Sequence, residues 1–339
     1  MKNQTMFFKT PVEVSETATI VGPKEGEGPL GKYFHHILKD DLFKQKSHET
    51  AEYKMHEAVI QQLLNRSKLS ASDISCVFAG DLLDEIVGSS LALREHDIPF
   101  MGVYNACASI GEALILGAAM LEAGLMDKTV CSTTSHFSTA ERQYRFPLEL
   151  GSQRTPLSQW TVTAGAAILL TRGENSVAPN PKITCATVGR VIDFGIDDAN
   201  DMGAAMAPAA LSTITAHLAD TGREASYYDL ILTGDLGHAG SRLLTKLAGD
   251  KGIRLEENYS DCGILIYNRE AQKVGQGGSG ACCGNAVFSA YIYKLMREGK
   301  YKKVLFVPTG ALLSKTSSLQ GESIPGIAHA VALEMPESH

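Results

Sequence analysis

A cysteine that ends an apolar, strand-like stretch (residues 99–104) and opens a helical run (residues 109–123) is placed for thiol chemistry. It is Cys107, in Asn105-Ala-Cys-Ala-Ser109. Free backbone N–H groups and the helix dipole at such a turn favour thiolate, hold anions and could stabilise an oxyanion on an attached acyl group. The same spacing also suits a small residue packed at a tight helix start. Two Gly-Asp turns supply further candidates: when Gly80-Asp81 is aligned on Gly234-Asp235, Asp84 falls opposite His238. Ligand sites of open parallel sheets form beyond the carboxyl ends of strands, so Asp84, Cys107, His238 and Asn285 are expected to face one cavity. The plain alternatives are a loop acid or helix cap for Asp84 and a surface-turn residue for His238. Asp81 and Asp235 read as braces of their own turns through local backbone hydrogen bonds.

Among the basic residues Arg142, Arg145 and Arg154, at least one could grip a carboxylate ligand by a bidentate fork; ion pairs with Glu141 and Glu149 explain them as well. The vicinal Cys282-Cys283 reads as small residues at a crowded helix start and receives no chemistry. There is no CxxC pair and no HExxH, so no metal site is expected.

The elements that must position these residues occur twice. Residues 73–82 (Asp-Ile-Ser-Cys-Val-Phe-Ala-Gly-Asp-Leu) are echoed by residues 229–236 (Asp-Leu-Ile-Leu-Thr-Gly-Asp-Leu), both reading as buried strands that end in Gly-Asp-Leu. A helical pattern precedes each, at residues 55–65 and 206–218. After each comes a cysteine-bearing turn, a long helix and a second strand, at residues 105–130 and 281–307. The offset between matching features grows along the chain, which places an insertion within residues 239–280. Two further apolar runs, residues 164–170 and 261–267, are expected to close the sheets. Strands alternating with helices predict an α/β fold of two similar halves with mostly parallel sheets and layered helices. The polar, proline-bearing residues 173–181 form the crossover, which sets the halves at 1–174 and 181–339. Residues 34–56 read as a solvated helix pair and loop.

At 339 residues, the chain suits two units of about 150 to 170 residues. Its 44% apolar and 20% charged composition is that of a globular protein with material for buried sheets. A net charge of -7 without a sustained Lys/Arg block argues against nucleic acid as partner. No apolar run is long enough to predict a transmembrane span, and the first ten residues have no signal-like core. Seven cysteines, several in apolar runs, fit a reducing, intracellular compartment better than a disulfide framework.

Asn105-Ala-Cys-Ala-Ser109, Thr163-Ala-Gly-Ala-Ala167 and the Gly284-Asn285 turn resemble the thiolase and ketoacyl synthase superfamily, in which the nucleophilic cysteine caps such a helix. The similarity covers nearly the whole chain. More narrowly, Pro147-Leu-Glu-Leu-Gly-Ser-Gln-Arg-Thr-Pro156, followed by Gln159-Trp-Thr-Val-Thr163, resembles the stage V sporulation AD family of endospore-forming bacteria. In condensing enzymes of the superfamily a histidine ends the strand that here precedes Gly234, and an asparagine follows the glycine at the next helix. Asn285 matches the asparagine, but Gly234, with Asp235 beside it, stands at the histidine position, and the nearest imidazole is His238. The narrower resemblance implies binding of dipicolinic acid, free or as its calcium chelate, and support of its uptake into the developing spore. Asp84, Cys107, His238, Asn285 and Arg154 would form the ligand site, with no other cofactor. It also implies a homodimer joined through a strand edge of the N-terminal half. Other stage V sporulation A membrane proteins would be partners at the spore inner membrane, where the chain would sit peripherally. The superfamily resemblance implies the alternative, a cysteine-dependent acyltransferase using Cys107, His238 and Asn285.

Overall fold

A computed structural model describes residues 3–144, 154–173 and 179–336. Arg145, Glu149, most of the arginine–proline run and residues 174–178 of the crossover lie outside the described residues. One 11-stranded sheet passes through both halves. From one edge its order is Tyr259–Asp261, Leu230–Thr233, Lys303–Val307, Ala330–Glu334, Lys182–Thr187, Thr5–Val21, Ala164–Thr171, Lys128–Ser135, Cys76–Gly80 and Phe100–Gly102; His36–Ile37 lies beside Thr5–Val21. Read outward from the centre, the two halves repeat the same strand order, so Cys76–Gly80 corresponds to Leu230–Thr233 and Lys128–Ser135 to Lys303–Val307.

The three outer strands of each half are parallel. The pairs nearer the centre are antiparallel. The sheet is therefore mixed rather than mostly parallel. Ser135 lies opposite Ala164, so the end of one strand faces the start of the other, and the pair runs antiparallel. A second expectation is corrected in the same way. Of residues 261–267, only Asp261 belongs to a strand, and that strand sits at the outer edge. The carboxylate of Asp261 caps the short helix Cys262–Leu265 by accepting from Ile264 N. The strand that closes the second half is Ala330–Glu334.

Helices divide the apolar core into layers. Ser109–Glu122 and the continuous helix from Cys283 to Arg297 bury Ile110, Leu114, Leu121, Phe288 and Met296 in the central cluster. Each such side chain contributes about 1.5–3 kcal/mol on burial. His48–Ser67 covers one outer face, and Met202–Thr221 with Gly237–Gly249 covers the other. Residues 34–56 are not simply a solvated segment: Glu52 and His56 are fully buried where His48–Ser67 packs on the sheet, and His56 Nε2 meets Ser132 Oγ at 2.7 Å.

Candidate functional site

Cys107 sits at the start of Ser109–Glu122 on a constrained turn. Ala106, just before it, adopts φ +49°, a left-handed conformation that costs a residue with a Cβ about 1 kcal/mol. The backbone of Gly310 holds this turn from the other half; a Cβ there would lie 2.4 Å from Asn105 O, so only glycine permits the approach. Cys107 is buried among Leu82, Ala106, Ala140 and Ala281, beneath Tyr144 and Leu312.

Two residues of the second half meet the thiol. Ser279 Oγ lies 3.9 Å from Cys107 Sγ and donates to Asp235 Oδ2 at 2.7 Å. Gly280 N donates to the same oxygen at 3.1 Å, and Thr309 Oγ1 donates to Oδ1 at 2.9 Å. Burial raises the pKa of the Asp235 carboxyl above the ordinary aspartate range, and these hydrogen bonds pull it back. Burial pushes the Cys107 thiol well above the usual thiol range; the negative charge of Asp235 adds to this, and Gly280 N and Ser279 only partly oppose it. The thiol is thus held neutral, the opposite of the thiolate expected from a helix start alone.

Above the turn opens a cavity of about 770 Å³ whose lining includes Asp84, Tyr104, Arg142, Tyr144, Leu312 and Lys315. Tyr144 donates to Leu82 O at 2.6 Å and its hydroxyl lies 3.2 Å from that of Tyr104, so the two phenols separate the open cavity from Cys107. Asp84 stands at the rim, accepting from Gln143 Nε2 at 2.9 Å. Arg142 pairs with Glu49 at 2.5 Å and is half-exposed. The cavity therefore presents both signs of charge around an aromatic wall.

The structure places Asp84 at the rim of this cavity and Cys107 behind its two phenols, and puts the other candidates elsewhere. His238 lies on Gly237–Gly249 and lines a separate groove with Arg242 and Lys246; burial and then Arg269 and Arg242 lower its pKa. The turn that carries it is anchored the other way, with His238 N donating to Gln276 O at 2.8 Å. Asn285 is fully buried beneath the sheet, donating to Thr133 Oγ1 and Ala166 O and accepting from Ser289 Oγ. Arg154 donates to Glu141 and to Gln159 O and lies against the stacked rings of Phe137 and Trp160. Cys282 and Cys283 are buried. Three residues that pattern reading missed, Asp235 as a partner of the thiol, Ser279 and Thr309, complete the site. The available signal was the Gly277-Gly-Ser-Gly280 run, which lets the backbone pass close to Ser135 and Gly263. Among the described residues, no group of His, Cys, Asp and Glu could hold a metal by itself.

Comparison with known proteins gives the family. The family model described as stage V sporulation protein AD matches residues 2–334. The chain is 40% identical over 331 residues to stage V sporulation protein AD of Bacillus subtilis (strain 168), covering 98% of this chain and 96% of that one. Among solved structures it is similar to 3-oxoacyl-[acyl-carrier-protein] synthase III from Aquifex aeolicus VF5, with TM-score 0.57, 12% identity and coverage of 95% of this chain and 99% of that one. A variant of Xanthomonas campestris OleA gives TM-score 0.63 at 15% identity, over 97% of this chain and 100% of that one. These two likenesses establish a thiolase-like fold.

Proposed function

Because the chain belongs to the stage V sporulation protein AD family, we propose that its cavity binds dipicolinic acid, preferentially as the calcium chelate, in support of the ligand's uptake into the developing spore. The observation that carries this reading is a tyrosine-walled cavity of mixed charge, with Asp84, Arg142 and Lys315 around Tyr104 and Tyr144. A free pyridine dicarboxylate is a dianion, which the buried Asp235 disfavours. Its calcium chelate is neutral and planar. Tyr104 and Tyr144 suit the ring, Arg142 and Lys315 suit the carboxylates, and Asp84 suits an oxygen position on the calcium.

The test is calorimetric titration of the full chain with dipicolinate, with and without calcium. Saturable binding that strengthens with calcium and weakens about tenfold or more in Asp84→Ala and Arg142→Ala is expected. His238→Ala and Asn285→Ala should leave it intact when the protein is folded. Absence of binding by folded protein removes this reading.

Acyl transfer through Cys107 is the second reading, favoured by the position of the cysteine at a helix start within a thiolase-like fold. The Asp235 carboxylate in contact with the site weighs against a nucleophilic thiolate. An acyl adduct on Cys107 after incubation with acyl thioesters, found by mass spectrometry, would reverse the preference.

The same proposal includes a homodimer joined along Phe100–Gly102, the outer strand of the first half. Met101 and Tyr104 are 47% and 45% exposed along this unpaired edge. Among the described residues, no helix is long and apolar enough to cross a membrane; the proposal also takes the membrane proteins of the same pathway as partners at the inner membrane.

A further inference from the structure

A second pocket, of about 470 Å³, lies away from Cys107 where the ends of two helices and a loop converge. Its cations are Lys32 from the short 3-10 turn Gly31–Tyr33, Arg66 from the last turn of His48–Ser67, and Lys294 and Arg297 from the last turn of the helix that starts at Cys283. That helix begins beside the Ser279–Asp235 contact and ends about 20 Å away, and the pocket shares no lining residue with the cavity. Lys32 and Lys294 flank one ring, with their ammonium groups 5.2 and 5.3 Å from the centroid of Tyr33. Tyr33 in turn packs on Tyr291 at 4.7 Å.

The acids nearby do not balance these charges. Glu16 pairs with Arg66 at 3.0 Å, and Glu298 reaches Lys294 only at 3.8 Å, with both side chains 54% exposed. Lys32 and Arg297 have no carboxylate partner among the described residues. A cation at the end of each helix complements its dipole, but that accounts neither for Lys32 nor for the convergence of three segments on one concavity. All this sits on a chain of net charge -7. The wall is also irregular in a way ordinary packing does not require. Residues Phe288–Ile292 form a π-helical turn, a widening found often at functional sites, and its Ser289 and Ala290 face the pocket. Thr17 Oγ1 donates to Ser289 O at 2.7 Å and secures the widened turn to the sheet.

We propose that this pocket binds a phosphoryl group. A tetrahedral dianion with three peripheral oxygens accepts from several cations approaching from different directions, which a single carboxylate does not. The volume leaves room for the moiety that carries the phosphate, against the Tyr33 wall. The phosphoryl group can belong to a soluble phosphate ester or to an anionic phospholipid headgroup, and the experiment separates them.

Full-length protein is titrated calorimetrically with inorganic phosphate and phenyl phosphate, and cosedimented with phosphatidylcholine vesicles with or without phosphatidylglycerol. Saturable binding of a soluble probe alone assigns a phosphate ester; binding only of phosphatidylglycerol vesicles assigns the headgroup. In either case Lys294→Ala/Arg297→Ala should weaken binding at least tenfold, and Lys32→Ala, on a different segment, should weaken it independently. Dipicolinate titrations should be unchanged in all three substitutions. If the double variant loses its circular dichroism signal, Lys32→Ala decides. No saturable binding of any probe, or undiminished binding in correctly folded variants, overturns the proposal.

Discussion

At Cys107 the Gly280 amide and the Asp235 carboxylate act in opposite directions on one thiol, and burial sides with the carboxylate. Asp235→Asn removes the like charge while keeping the shape, so alkylation of Cys107 by iodoacetamide at pH 8 should be faster in the variant than in the parent chain; an equal or slower rate would mean that burial alone controls the thiol. Asn285 offers the contrasting case of a residue whose type suggests chemistry and whose partners are structural. Asn285→Ala removes the partner of Thr133 Oγ1 and Ser289 Oγ in a dry interior, while Ala166 O keeps Ser132 Oγ. Thermal and urea unfolding should show a loss of about 3 kcal/mol, with ligand affinity retained below the transition. Glu25 links charge to stability. It is fully buried, accepts from Thr163 N at 3.0 Å and from Tyr267, and burial raises its pKa from 4.5 to about 7. A raised folded-state pKa means the fold binds the proton more tightly than the unfolded chain. The stabilising contribution is full below about 4.5 and falls as pH rises to about 7, by a total of about 3 kcal/mol. Glu25→Gln should flatten the pH dependence of unfolding between pH 5 and 8, and an unchanged slope would assign it to other groups.

The two Gly-Asp turns, alike in sequence, were set to different work by the elements around them. After Cys76–Gly80, the Asp81 carboxylate accepts from Leu83 N, Ser89 N and Ser89 Oγ and braces its own loop, as the turn chemistry implies. After Leu230–Thr233 the bracing falls to Asp261, from the adjoining edge strand, which accepts from Leu236 N and Gly237 N. Asp235 is thereby released toward Ser279, Thr309 and the thiol. The strand Thr309–Ala311 completes this arrangement by lying against the Cys107 turn. Gly310→Ala would drive a methyl into Asn105 O, so it should cost about 2–3 kcal/mol in unfolding experiments and displace the turn enough to weaken binding in the cavity above it. Wild-type affinity in this variant would show that the turn does not position the site.

For the whole molecule, the unpaired edge Phe100–Gly102 contributes Gly102 to the cavity and Tyr104 follows two residues on, so pairing of two copies along that edge would also wall the entrance. Light scattering after size exclusion should give a dimer, and Met101→Asp should yield monomer with weaker dipicolinate binding; a monomeric parent chain would dispose of the dimer. The duplicated strand–turn–helix units and the helix start at Cys107 were legible along the chain because each depends on local periodicity and on short runs of small residues, and the thiolase-like class came from the resemblance of those short runs to a known superfamily. The antiparallel centre of the sheet, the role of Asp235 and the outward placement of His238 were not. The two Gly-Asp turns read alike, and only long-range packing decides which carboxylate is taken up by a neighbouring strand and which is left for the thiol. The basic pocket was likewise invisible, since Lys32, Arg66 and Arg297 are far apart in sequence and meet only because the helix ends converge beside one strand. Sequence alone thus determined the units and the cysteine they present, while tertiary structure decided its neighbours, because burial and electrostatic partners are properties of segments brought together from distant parts of the chain.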